Sequence, residues 1–353
     1  MKKLLAVMAL TAAVCSCGNG DGEYTVIGQL DDYSGKLWLI ADDEPIDSLK
    51  SKDGSFLFKG NVKVPAIAYV CNAPNRRDAD LGLMFFLEPG EIMMKVNDAV
   101  NGQAYMTGTK SNDRKAEYTL KSIELAQQWS DRMDDPNLTA EIDSIQYAMT
   151  MDAITGNTDN MYGVWQLKQY SYELTDADEL ESYLKAIAPE LRKSKLYASM
   201  EESVKKMRTT AVGQKFLEVK MDGPDGNEVS LSKVIKNSGN KYVLIDFWAS
   251  WCGPCMREVP FLTASYAKYK QKGFEIFGIS LDRTAEPWKA AIERNNMNWV
   301  HVSDLAYWNS AAAELYGVNS IPANFLIDCS TGKIIAKGLR GAALERTLSK
   351  LLD

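Results

Sequence analysis

The chain of 353 residues is 46% apolar and 25% charged with only 11 Pro and 24 Gly, which supports a sizeable core over two or three domains and excludes collagen-like or largely disordered architecture. Its 40 basic and 47 acidic side chains give a net charge of −7, without the basic excess that nucleic-acid binding needs. A single histidine, His301, leaves almost nothing for a triad, an imidazole acid/base pair or a His-rich metal site, so any chemistry falls to six cysteines: Cys15, Cys17, Cys71, Cys252, Cys255 and Cys329.

Lys2 and Lys3 precede an apolar run of eleven residues, Leu4 to Val14, which suits the core of a secretory signal. It falls well short of the roughly 20 residues that span a bilayer. The run ends in Val14-Cys15-Ser16-Cys17, which resembles a bacterial lipobox, with an aliphatic residue three positions before the cysteine and a small one just before it. The resemblance implies that residues 1–16 are a lipoprotein signal peptide and that Cys17 is the lipidated first residue of the mature chain. Cys15 fits less well because Val14 is a poor residue at a cleavage position. Several acyl chains on one cysteine anchor stably, whereas a single chain holds only marginally. Residues 17–23, polar and glycine-rich, read as a tether. The competing reading of this end is ordinary cleavage and release.

Residues 24–110 show short alternating or apolar runs: Tyr24 to Leu30, Lys36 to Ala41, Phe56 to Phe58, Ala66 to Cys71, Leu83 to Leu87 and Glu91 to Val96. Asp53-Gly54, Pro89-Gly90 and Asn101-Gly102 punctuate them as turns, and the spacing predicts a small antiparallel β-sandwich or barrel. Asp47-Ser48, the run Asp53-Gly54-Ser55-Phe56-Leu57-Phe58-Lys59-Gly60 and Phe86-Leu87-Glu88-Pro89-Gly90 resemble the β-rich, DUF4369-like domain often found ahead of thioredoxin-like domains in Bacteroidetes lipoproteins. That resemblance names a domain and implies no activity. Cys71, in Tyr69-Val70-Cys71, reads as a small buried hydrophobe on a strand.

Residues 111–210 become helical, with apolar positions recurring at three and four: Tyr118, Ile123, Leu125 and Trp129, then Ile142, Ile145 and Met149, then Leu180, Tyr183, Leu184 and Ile187. Pro136 and Pro189 separate helices. The stretch reads as a helical connector, with a peptide-binding surface as the competing reading.

Residues 211–353 alternate apolar strands with amphipathic helices, as a mixed α/β sheet requires. A buried strand, Tyr242 to Trp248, runs into Ala249-Ser250-Trp251-Cys252-Gly253-Pro254-Cys255, and Met256 to Lys270 reads as a helix. A thiol at a helix amino terminus meets unpaired N–H groups and the positive end of the macrodipole, both of which favour the thiolate. Cys252 is therefore expected to be the exposed, low-pKa nucleophile, and Cys255, one turn deeper, the buried resolving thiol. Pro254 is tolerated because the first helical turn needs no N–H donor there.

The segment Asp246-Phe247-Trp248-Ala249-Ser250-Trp251-Cys252-Gly253-Pro254-Cys255, followed by Met256-Arg257-Glu258-Val259-Pro260, resembles the active site of thioredoxin-fold proteins. It is most similar to the exported, membrane-tethered branch of TlpA/ResA type, which includes the cytochrome c maturation reductases. The likeness runs over roughly 140 residues from Val212 to Asp353 and takes in the strand Phe274 to Asp282, Tyr316-Gly317-Val318-Asn319-Ser320-Ile321-Pro322 and the strand Asn324 to Asp328. It implies that Asp246 accepts a proton as the resolving thiol attacks, and that Glu258 is the acidic residue near the cysteine pair. Trp251, Gly253 and Pro254 would meet substrate. Pro322 matches the cis-proline that packs beside the disulfide and leaves the backbone at Ile321 to pair with a substrate strand. Many relatives have Thr where this chain has Ala323, which puts peptide preference in doubt.

Other uses of the pair fit less well. Zinc needs about four ligands, and covalent haem needs a histidine where Met256 stands. A thiol peroxidase needs a Pro and a Thr or Ser ahead of a lone cysteine, which Trp248 to Trp251 does not supply. Cys329, beside Ser330-Thr331-Gly332, reads as a free structural thiol like Cys71. The dipeptide Gly253-Pro254 is that of reducing family members, whose couple lies near about −270 mV against about −120 mV for a strong oxidant, a gap of roughly 7 kcal/mol.

The sequence thus predicts an α+β multidomain chain: a β-sandwich-like domain, a helical connector and a thioredoxin-fold α/β domain. Its expected activity is that of an exported thiol–disulfide oxidoreductase, facing the periplasm from the inner or outer membrane. No cofactor is expected beyond the redox-active disulfide, since no Gly-x-Gly-x-x-Gly follows a strand. Expected partners are disulfide-bearing secreted proteins, apocytochrome c among them, and a membrane donor of reducing thiols. The alternative from another class is a binding or assembly lipoprotein with an inert thioredoxin-like domain.

Overall fold

The structure, a computed structural model, describes residues 22–30, 33–97, 103–130, 132, 135, 137–174 and 176–353. The expected signal peptide, Cys15, the expected lipidation site Cys17, the turn at Asn101-Gly102 and Pro136 lie outside the described residues. So does all of the tether but its last two positions. The chain divides into two compact units: residues up to Gly163 with Lys193–Lys195, and Val164–Arg192 with Leu196–Asp353. The division falls inside the helical stretch.

The first unit contains β1 (Glu23–Gln29), β2 (Gly35–Ala41), β3 (Glu44–Ser51), β4 (Ser55–Asn61), β5 (Ala66–Cys71), β6 (Gly82–Leu87), β7 (Gly90–Asn97) and β8 (Gln103–Thr107). They form two four-stranded sheets, ordered β4-β1-β7-β8 and β3-β2-β5-β6. Val26, Leu37, Phe58, Val70, Phe85 and Ile92, drawn from both sheets, share one core, which makes the domain a sandwich. The expected all-antiparallel pairing is corrected at one place, because β1 and β7 run parallel from Tyr24 opposite Gly90 to Ile27 opposite Met93. The chain leaves for the other sheet and returns between them, so no hairpin sets their direction. β3 escaped the sequence reading because its first five side chains are all exposed and offer no apolar face. A two-residue turn, Asp42 and Asp43 at φ 49° and 69°, joins it to β2.

Two long helices follow, α1 (Lys110–Ser130) and α2 (Leu138–Thr155). The Glu88 carboxylate accepts both the backbone N–H of Ser111 at 2.9 Å and its hydroxyl at 2.6 Å, fixing the start of α1 to the sheet domain. Then come α3 (Met161–Tyr170), α4 (Ala177–Ala186) and α5 (Lys195–Thr209). Among the described residues no helix is long and apolar enough to cross a membrane.

The second unit is organised by a seven-stranded sheet. In chain order it has β9 (Lys220–Asp222), β10 (Glu228–Ser230), α6 (Leu231–Ile235), β11 (Tyr242–Trp248), α7 (Gly253–Tyr269), β12 (Phe274–Ser280), α8 (Ala285–Arg294), β13 (Val300–Ser303), α9 (Ala311–Tyr316), β14 (Ala323–Asp328), β15 (Lys333–Lys337) and α10 (Ala342–Leu352). The sheet order is β10-β9-β13-β12-β11-β14-β15, with β11, β12 and β13 parallel and β14 and β15 antiparallel. β11 and β12 lie at the centre as near-continuous buried apolar runs, the pattern of strands covered on both faces. Gly278 on β12 has to be glycine, because a Cβ there would stand 2.8 Å from Nδ1 of His301. The central strand β11 delivers its carboxy end to the cysteine pair.

Candidate active site

β11 ends at Trp248, and the next backbone turn is held by Asp282, just past the end of β12. The Asp282 carboxylate accepts the Ser250 N–H at 3.0 Å, the Ser250 hydroxyl at 2.5 Å and the Ser280 hydroxyl at 2.7 Å. This anchored loop leads to Cys252, which caps α7 in an extended conformation, φ −85° and ψ 98°, its Sγ accepting the N–H of Cys255 at 3.1 Å. Pro254 sits in the first turn, where its missing N–H costs nothing.

Cys252 and Cys255 are joined by a disulfide. The expectation of an exposed Cys252 is corrected: in this oxidised form it is 4% exposed, beside Cys255 at 3%. The bond ties its sulfur to the core, and the Ile321 carbonyl oxygen stands 3.7 Å from it. Surface at the site comes instead from Gly253, Pro254 and Trp251, the last 46% exposed. The Trp251 ring packs against Tyr307 and Trp308, with centroids 5.1 and 6.1 Å away. Ile321-Pro322 is a cis peptide. Beside it a cleft of about 510 Å³ is lined by Tyr172, Leu174, Met207, Ala323, Asn324 and Arg340 among others.

Asp246 lies on β11 in the core, 3% exposed. Burial pushes its carboxyl up to about 7; the Arg340 charge opposes that rise and the Glu258 charge adds to it. Glu258 is half-buried on α7, and its Oε2 accepts the N–H of Gly341 at 2.8 Å. The structure thus brings the cysteine pair against the Ile321-Pro322 segment and sets Asp246 and Glu258 near enough for their charges to interact.

Two residues there escaped sequence reasoning. Asp282 carried one usable signal, an acid closing the apolar run Phe274 to Leu281. Arg340 carried none, since a lone arginine after a strand reads as surface charge. His301 is far from a free acid/base group: it is buried on β13 with its Nε2–H donating to the Met297 carbonyl at 3.0 Å, and burial lowers its pKa to about 4. Cys71 and Cys329 are free thiols, both pushed up by burial, Cys329 to about 11.

A central mixed sheet with a disulfide where its middle strand enters a helix, a buried carboxyl on that strand and a cis-proline beside the sulfurs defines a thioredoxin-like domain. Residues 212–337 match the AhpC/TSA family model, and residues 24–114 match a domain of unknown function, DUF4369. The thiol-disulfide oxidoreductase ResA of Bacillus thuringiensis is 31% identical over 118 residues, which are 33% of this chain and 65% of that protein. ResA of Bacillus cereus is 32% identical over 103 residues, 29% of this chain and 57% of its own length. The chain thus spans less than two thirds of these curated relatives. Among solved structures, the thioredoxin domain of a thiol-disulfide oxidoreductase from Bacteroides vulgatus is 37% identical, covering 40% of this chain and 99% of that one, with a TM-score of 0.37. A thiol:disulfide interchange protein from Bacteroides sp. is also 37% identical, with coverages of 41% and 91% and a TM-score of 0.36.

Proposed function

We propose that this chain is a thiol–disulfide oxidoreductase that works as a reductase through Cys252 and Cys255. The observation that carries the reading is the placement of the Cys252–Cys255 disulfide at the amino terminus of α7, directly after the strand that carries the buried Asp246, whose carboxyl burial pushes up to about 7. In the reduced form the Cys252 thiolate, favoured by the helix end, attacks one sulfur of a substrate disulfide. The S–S bond breaks, a mixed disulfide forms at Cys252, and the first substrate sulfur leaves as a thiolate that takes a proton from water. Asp246 then accepts the Cys255 proton, with Glu258 as its neighbour in that exchange. The Cys255 thiolate attacks Cys252 Sγ, releasing the second substrate sulfur and closing the disulfide. The second substrate sulfur takes the proton that Asp246 received from Cys255, so the substrate gains two electrons from the dithiol and two protons, one from water and one from Cys255.

Substrate meets the exposed ring of Trp251, the backbone at Gly253 and Pro254, and the Ile321-Pro322 segment. Recycling falls to an external dithiol donor, so the redox-active disulfide is the whole of the cofactor complement. The leader and Cys17 support an exported chain anchored by lipid to a cell-envelope membrane, facing the periplasm. Secreted proteins with disulfides, apocytochrome c among them, fit that location as substrates.

Insulin reduction by the full chain with a dithiol donor tests the activity. The expected result is turnover in the wild type and background rates in Cys252→Ser, and equal rates for the two sink the enzyme reading.

A further inference from the structure

The segment from Gly338 to Gly341 is bolted into the site at three points. Asn324 on β14 stands opposite Asp246 on β11 in the sheet register. Its side chain grips Leu339 twice: Nδ2 donates to the Leu339 carbonyl at 2.7 Å, and Oδ1 accepts the Leu339 N–H at 2.8 Å. On the other side of Arg340, Gly341 donates its N–H to Glu258 on α7. Held between these anchors, the half-buried Arg340 guanidinium donates to the Pro322 carbonyl and to that of Leu339. It thereby ties the segment after β15 to the residue just ahead of β14.

We propose that Arg340 is a positioning residue of the dithiol site, which fixes the Pro322 carbonyl and, from a segment clamped by Asn324 and Glu258, holds a cation beside the Asp246 and Glu258 carboxyls. The inference rests on the reading of Asp246 as proton acceptor. A guanidinium withdrawn from water is costly unless it is paired and hydrogen-bonded. Arg340 meets that cost with two carbonyls and with the charges of Asp246 and Glu258. The charged groups facing Asp246 are Arg340 from this segment and Glu258 from α7, which act in opposite senses. In the reduced protein the thiols of Cys252 and Cys255 join them. Removing the cation leaves Asp246 with burial and a like charge, both of which favour the protonated form.

The direct test is a carbon NMR titration of the Asp246 carboxyl in the full, reduced chain, its signal identified by its loss in Asp246→Asn. Arg340→Met is expected to move the midpoint upward by about one pH unit, and Arg340→Lys to keep it near the wild-type value. Arg340→Gln, which keeps a donor for the Pro322 carbonyl without the charge, replaces the Met variant if that one does not fold. The acid limb of insulin reduction is expected to follow the same shift, and to be indifferent to Arg340 in an Asp246→Asn background. An unmoved Asp246 titration overturns the proposal whether or not the chain is a reductase. Loss of Cys252 dependence in the insulin assay overturns the oxidoreductase reading and leaves the titration to be judged separately.

Discussion

The carboxylate of Asp282 holds Ser250 by both of its donors, the backbone N–H at 3.0 Å and the hydroxyl at 2.5 Å, two residues ahead of Cys252. At 1% exposure Asp282 has no water to replace those bonds. Asp282→Ala strands a buried N–H and two hydroxyls, and chemical denaturation is expected to show a loss of about 2 to 4 kcal/mol. Ser250→Ala, which keeps the backbone bond, is expected to cost about 1 kcal/mol. Equal effects from the two would remove Asp282 from its place as the anchor of the loop.

Asp246 is expected to make stability and activity respond to pH in opposite ways. Its folded pKa of about 7 lies above the ordinary 3.8, so the folded state holds an extra proton between those values and stability falls as pH rises through about 7. Asp246→Asn is then more stable than wild type at pH 8, by up to about 4 kcal/mol, and the gap closes toward pH 4. Reduction rates are expected to fall about 100-fold in the same variant and to lose the limb near pH 7. Denaturation at several pH values, paired with insulin reduction, checks both halves; a variant less stable than wild type at pH 8 contradicts the buried-carboxyl argument.

His301 works in the opposite sense on stability. It is neutral in the fold, with a pKa of about 4 against the ordinary 6.5, because its ring lies between Trp248 and Trp299. The unfolded chain binds a proton below pH 6.5 and the folded chain does not until about pH 4. Stability is therefore present above pH 6.5 and lost as pH falls through that window, by about 3 kcal/mol. His301→Gln is expected to flatten this part of the stability curve, at some cost in packing that is independent of pH. A slope between pH 4 and 6.5 that survives the substitution assigns the effect elsewhere.

Trp251 separates binding from folding. Nearly half exposed, it loses little burial on truncation, so Trp251→Ala is expected to cost under about 1 kcal/mol in stability. The value of kcat/KM for a protein disulfide should fall about tenfold, mostly through KM, if the ring is a contact for substrate. Unchanged KM would confine Trp251 to packing on Tyr307 and Trp308.

The cysteine pair and its helix were legible because the chemistry is local: a buried apolar strand, a turn and two thiols three residues apart fall within fourteen positions, from Tyr242 to Cys255. Asp246 was singled out only through the likeness of this stretch to the thioredoxin active site, and the structure adds that its carboxyl is buried. Arg340 and Asn324 were not, since what they do depends on β14 lying beside β11, a pairing between residues about eighty positions apart in the sequence. β3 was missed for a simpler reason, as an exposed strand has no alternation to read. The burial of Cys252 also lay beyond sequence, because helix-end electrostatics describes a thiolate and the structure holds a disulfide.

The central claim is that Cys252 attacks and Cys255 resolves, and mass spectrometry of the resolving-cysteine variant tests it most directly. Cys255→Ser, reduced and mixed with a disulfide-bearing protein, is expected to accumulate a covalent adduct on Cys252 that excess dithiol releases, while Cys252→Ser forms none. An adduct on Cys255 in Cys252→Ser at a comparable rate, or no Cys252 adduct at all, would contradict the account.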